Sequence, residues 1–173
     1  MNRIQPIRFV NKEQNDFVKT LRVLMGLGMA GIGLSVMHDA NHGTFSNKKW
    51  LNNVAGFSLN FLGGNVNNWK AQHNIMHHSF TNIEGYDEDI APAGILRFSP
   101  HSEKHKVHKY QYIYAWFFYG LMTLSWTFMK DFKDAVRYQK MGLYKQLKTS
   151  FAKEMTLIIA TRILYFAYMV VLP

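Results

Sequence analysis

"VLMGLGMAGIGLSVMHDANH", residues 23–42, joins an uncharged run to a pair of histidines. As a helix, its apolar part (23–37) reaches about 22 Å, against about 30 Å of membrane hydrocarbon. Continued through His42, the helix is longer and its polar end meets the interface. His38 and His42 stand four residues apart, so a helix projects both from one face, about 40° from each other, close enough to share one metal. "HDANH" also resembles the zinc-hydrolase pattern H-E-x-x-H, with Asp39 in place of Glu. Asp is one methylene shorter and a poor general base there. The plainer reading is a polar helix end leaving a membrane. The same run contains Gly26-x-Gly28-x-x-Gly31, a formal dinucleotide fingerprint. That motif needs a preceding strand and an acid about 20 residues on, and "SNKKWLNN" near position 50 has no acid. Small residues four apart (Gly26/Ala30, Gly31/Ser35) suit close helix packing in a membrane instead.

The rest of the chain repeats this texture. In 173 residues, 48% are hydrophobic, 15% aromatic and 18% charged, and the apolar ones collect in blocks. One domain, 1–173, is expected. Residues 1–22 form a polar lead, partly helical after Pro6, with no secretory signal. Residues 54–69 turn from apolar to Gly/Asn-rich and suit a re-entrant or interfacial segment. "YIYAWFFYGLMTLSWTFM", 112–129, is uncharged and reads as the best single span. Residues 130–154 are basic and read as helical; 155–173 are apolar apart from Arg162. The net charge of +9 comes from Lys and Arg flanking apolar runs, as in loops facing an anionic leaflet. No nucleic-acid recognition element accompanies it, so no nucleic-acid partner is expected. Both loops around 112–129 are basic, so charge does not choose a topology. The absence of cysteine excludes disulfides and argues against an iron–sulfur cluster.

A second cluster lies in "NWKAQHNIMHHSFTN", 68–82. His73 and His77 repeat the four-residue spacing. On an α-helix His78 sits about 100° from His77, so the two point different ways and suit two different metals. A solvated histidine-bearing face is the alternative. Ionisable groups beside membrane helices usually have a function, and imidazole suits Fe, Zn, Cu and Ni alike.

H-x-x-x-H at 38–42 with H-x-x-x-H-H at 73–78, set among apolar spans, resembles the membrane-bound fatty acid desaturases. "HDANHG", "NWKAQHNIMHHSFTN" and "DEDI" are similar to the linoleoyl-CoA or front-end (Δ6-type) branch. The resemblance implies an all-α integral membrane helical bundle with a cytoplasmic histidine-rich helical region. It implies that His38, His42, His73, His77 and His78 bind a di-iron (Fe) centre. The implied reaction is O2-dependent introduction of a double bond into a fatty acyl chain, CoA- or lipid-linked. Membrane lipids surround such a protein, and electrons come from an external donor of ferredoxin or cytochrome b5 type. Carboxylates would orient the imidazoles, with Asp39, Asp87 and Asp89 as candidates by nearness in sequence. The alternative for 87–89 is a solvated acidic turn or helix start.

Two departures from the family pattern stand out. The family carries a third box, Q-x-x-H-H, whereas the last histidine here is His108; the family also places two spans before the first box, where this chain has room for one. The expectation is a truncated, internally shortened desaturase or part of one. A catalytically inactive remnant, a related di-iron hydroxylase and a membrane zinc hydrolase using His38 and His42 are the rivals. In "HSEKHKVHK", 101–109, helical spacing puts His101, His105 and His108 on one face, but Lys104, Lys106, Lys109 and Lys130 nearby favour a solvated basic segment. Arg162 suits pairing with a lipid phosphate or an acid elsewhere, or snorkelling. Trp69 and the aromatics of 110–126 suit an acyl tunnel or, more simply, an aromatic belt or packing.

Overall fold

The structure, a computed structural model, describes residues 12–90 and 95–171. The expected helix after Pro6 therefore lies partly outside the described residues. The described elements are all helical, with no strand among them. Helix α1 (Lys12–Gly31) continues through a π-helical stretch (Ile32–Val36) into α2 (Met37–His42), as the uncharged run predicts. Gly43 ends it with φ 79°, a left-handed stop at which the Gly43 and Thr44 N–H groups return to the carbonyls of Ala40 and Asp39. The chain then enters α3 (Lys49–Phe61), which packs on α2. Gly56 permits that approach, because a Cβ there would lie 2.3 Å from Asn41 Oδ1.

The segment 54–69 resolves into the second half of α3, a turn at Gly63 (φ 84°) and the short α4 (Val66–Trp69). The Asn65 side chain caps α4 by accepting from the N–H groups of Asn67 and Asn68. Helix α4 runs directly into a π-helix, Lys70–His77. Two 3-10 turns follow, Glu88–Ile90 and Lys106–Tyr110. Helix α5 (Gln111–Ser125) passes through a π-helical stretch (Trp126–Lys130) into α6 (Asp131–Lys140). The basic stretch 130–154 is helical as expected, but in pieces: left-handed backbone at Gly142 and Lys148 (φ 74° and 56°) isolates α7 (Leu143–Gln146) before α8 (Phe151–Val171).

The core is small. Ala71 and Met76 of the second histidine helix pack with Ala135, Tyr138, Leu143, Tyr144 and Ile158, so α6, α7 and α8 support that helix from beneath. The outer faces of α1 with its π-helical continuation, α5 and α8 carry exposed apolar side chains, among them Leu34 (81% exposed) and Trp116 (77%). Two expectations need correction. Among the described residues, the one helix long and apolar enough to cross a membrane is Asn15–His42, of 28 residues. It is not 112–129, where tyrosine, tryptophan and threonine dilute the aliphatic residues and the helix runs on into charged α6. The small-residue packing in α1 is likewise not made by any of the described residues. Nothing lies within 4 Å of a Cβ built at Gly26, Gly28 or Gly31.

Candidate metal centre

The two histidine pairs come from separate elements and converge. His38 and His42 leave α2 on one face, their ring centroids 4.6 Å apart. His73 lies 5.2 Å and 5.1 Å from them. One ring nitrogen of each of these three lies within 4.8 Å of the others. His78 joins the group, 5.0 Å from His42 and 4.8 Å from His73. Its backbone N–H donates to the carbonyl of His73, five residues back. That wide turn replaces the α-helical offset and brings the Nε2 atoms of His73 and His78 to 3.3 Å. His77 and His78 do diverge, as the sequence suggests, but His78 turns toward His73.

His77 faces the other way. Its Nδ1 lies 3.0 Å from Asp87 Oδ1 and 3.2 Å from Asp89 Oδ2. A ring N–H donated there leaves Nε2 free. Asp87 is 1% exposed and also accepts from the Asn82 and Asp89 N–H groups. Burial pushes its carboxyl up, but those N–H groups and the His77 ring outweigh it and hold the pKa below the usual carboxylate range. Asp87 is thus a charged acceptor aimed at a histidine ring. Asp39 similarly contacts Nδ1 of His38 at 3.0 Å, in an exposed pair.

The solvated reading of residues 87–89 fails for Asp87 and Glu88. Glu88 reaches α6, where Arg137 lies 2.6 Å away and the Tyr138 hydroxyl donates to it at 3.0 Å. Burial and neighbouring Asp134 raise its pKa against these partners. Asp89 alone is exposed.

Burial, and then the surrounding histidines, lower the His73 pKa to about 4. At neutral pH its ring is uncharged and holds a lone pair for a metal. Imidazole nitrogens bind ions such as zinc at roughly 2.0–2.1 Å, so two neighbouring ligands of one ion stand about 3 Å apart, comparable to the His73–His78 separation. The donor set therefore fits a transition-metal ion. The group His77, Asp87 and Asp89 is a second set of converging donors, its histidine ring stacked 5.4 Å from His73.

Trp69 lies flat on His73, at 4.4 Å and 26°, and edge-on to His38 and His42. Of its readings this is packing, here against the histidine cluster. Phe118 and Met122 of α5, with Trp126 of the π-helical stretch, line a cavity of about 490 Å³ together with Asp87, Asp89, Lys130 and Arg137. The other histidines stay apart. Of 101–109, only 106–109 is helical, within the 3-10 turn, so no shared helical face forms; the His105 N–H donates to His108 Nδ1. Arg162 is buried and pairs with Asp131 at 2.7 Å, which selects the internal acid among its readings.

Sequence reasoning missed the polar layer under the second box. Asn65, Asn68, Glu154 and Asp131 are all buried. Asn68 donates to the backbone and side chain of Asp131 and accepts from the Tyr144 hydroxyl. The available signal was the run of asparagines in "GGNVNN" before a histidine box.

A sequence model described as fatty acid desaturase matches residues 18–173. The chain belongs to the fatty acid desaturase family. This desaturase-family chain is 34% identical over 105 residues to the sn-1 linoleoyl-lipid 6-desaturase of Arthrospira platensis, covering 61% of the chain and 28% of that protein. It is 34% identical over 151 residues to the acyl-lipid (8-3)-desaturase of Physcomitrium patens, covering 86% of the chain and 31% of the relative. The probable Delta(5) fatty acid desaturase C of Dictyostelium discoideum is 37% identical over 112 residues, covering 61% and 24%. The chain thus matches about three-tenths or less of the length of these relatives. These matches bear out the front-end resemblance. No solved structure matches.

Proposed function

We propose that this chain carries the first two histidine boxes of a di-iron fatty acid desaturase, an integral membrane helical protein. The observation that carries the reading is the convergence of His38 and His42 with His73 and His78 from separate helices, beside a His77 held by a buried carboxylate. His38, His42, His73, His77 and His78 are the proposed iron ligands. When bound, the irons supply activation of O2 for removal of hydrogen from an unactivated CH2–CH2 unit. The reaction balances as R–CH2–CH2–R′ + O2 + 2e⁻ + 2H⁺ → R–CH=CH–R′ + 2H2O. The electrons come from an external carrier of ferredoxin or cytochrome b5 type.

The chain's own residues have defined tasks in this reading. Asp87 and Asp89 fix the His77 ring through Nδ1 and make its Nε2 the better donor. Trp69 covers one side of the cluster and limits water. Phe118, Met122 and Trp126 offer an apolar wall to the acyl chain. The exposed apolar faces of α1, α5 and α8 meet lipid, and the histidine boxes lie on the cytoplasmic side. Two of the named relatives, a linoleoyl-lipid and an acyl-lipid desaturase, carry lipid-linked acyl chains in their names, which favours that carrier over CoA here. The first test is metal analysis of the full chain purified in detergent after iron loading. Iron that binds and is lost in the His73→Ala and His77→Ala variants supports the reading. Zinc in preference to iron, or negligible metal in the unmodified chain, overturns it. The activity itself is tested by lipid profiles of expressing cells, with and without an appended Q-x-x-H-H segment.

A further inference from the structure

Glu154 of α8 is fully buried, at 0% exposure, yet no cation pairs with it among the described residues. Its carboxylate is met by neutral donors. Asn65 Nδ2 donates to one oxygen at 3.1 Å, Asn67 Nδ2 to the other at 2.7 Å, and the Thr149 hydroxyl donates as well. A buried charge without a counter-ion is costly unless its environment supplies compensation. Here the compensation has a direction. Through the Asn65 and Asn67 side chains, Glu154 meets the start of the continuous helix made of Val66–Trp69 and Lys70–His77, the positive end of its dipole.

The bond to Asn65 also settles which way that amide points. With Nδ2 held by the carboxylate, Oδ1 faces the N–H groups of Asn67 and Asn68, at 3.0 Å and 2.8 Å. Those are the cap bonds that begin the helix bearing His73, His77 and His78. An amide turned the other way presents a donor to two donors and loses the cap. We infer that Glu154 is a positioning residue for the second histidine box, acting through the amide orientation of Asn65. Its effect on metal binding rests on the iron-site reading above; its effect on the helix start does not.

The test uses the full chain in detergent, with backbone amide hydrogen exchange and cobalt(II) as the metal probe. Glu154→Met removes both acceptor oxygens. Exchange at Asn67 and Asn68 rises about tenfold, the scale of a lost N-cap, and cobalt binds about tenfold more weakly with altered visible bands. Glu154→Gln keeps one acceptor oxygen and falls between, and carries the test alone if the Met variant does not fold. The double variant N65D/E154Q moves the charge onto the cap residue. The new amide on α8 then donates to the new carboxylate at the cap, whose second oxygen still accepts from the helix start, so exchange and spectrum return toward those of the unmodified chain. Unchanged exchange at Asn67 and Asn68 in both single variants overturns the inference. So does a uniform loss of protection along the chain that the double variant fails to restore. If the unmodified chain binds no cobalt, the metal-site reading fails, while the exchange data still decide the role of Glu154.

Discussion

His73 sits where two demands meet. A metal-binding imidazole must be neutral, and burial, followed by the crowding of His78, His42, His38 and His77, keeps a proton off this ring. Its folded pKa of about 4 lies below the ordinary value of 6.5, so between those values the unfolded chain binds the proton more readily. Stability from this group is fully present above about pH 6.5 and is lost as pH falls toward 4. The metal-free protein is therefore expected to show a falling denaturation midpoint from about pH 7 to about pH 4.5, and His73→Gln is expected to flatten that slope. A midpoint equally pH-dependent in the variant rejects His73 as the source. A bound metal ion competes with the same protons, so loading is expected to protect the midpoint in this window.

The two boxes are held in register by polar contacts between elements. The Asn74 side chain donates to the Asn41 carbonyl at 3.1 Å, and the Asn41 side chain donates to the Gly56 carbonyl at 3.3 Å. Gly56→Ala forces a methyl into Asn41 and is expected to cost about 1–3 kcal/mol, the range for overpacking, and to weaken metal binding. Gly26→Ala, with open space around it, is expected to be neutral or stabilising by up to about 1 kcal/mol through helix propensity. Chemical denaturation of the two variants side by side checks both. Much of this scale was legible beforehand. Hydrophobic runs announced the helices, and four-residue spacing paired His38 with His42. Two things were not legible. A π-turn has no periodic signature, so the meeting of His78 with His73 could not be read from spacing. Long-range polar partners cannot be matched from sequence: Arg162 in an apolar run and the asparagines of "GGNVNN" signal buried polar groups, but not that Asp131 and Glu154 meet them.

At the scale of the molecule, ion pairs knit the helices around the second histidine box, and the helix before the first box presents apolar side chains outward. Arg162 with Asp131, and Arg137 with Glu88, tie α8 and the acidic loop to α6, while Leu27 and Leu34 face outward uncovered, at 65% and 81% exposure. If lipid is the solvent on that side, Leu27→Asp raises the insertion free energy of 15–42 by roughly 3 kcal/mol. The ratio of inserted to uninserted segment then falls about a hundredfold, as read by a glycosylation reporter. An unchanged ratio places the helix elsewhere.

The wide turn through His73, His77 and His78 has a consequence for distance. Rings bound for both donor groups grow from a single run of backbone, and His73 and His77 are stacked on it 5.4 Å apart. Because both rings grow from one run of backbone, a shift of the other helices does not by itself change this interval. In the two-iron reading, the spacing of the ions is set by this one run of backbone, with α2 facing His73 and the 87–89 loop holding the ring of His77.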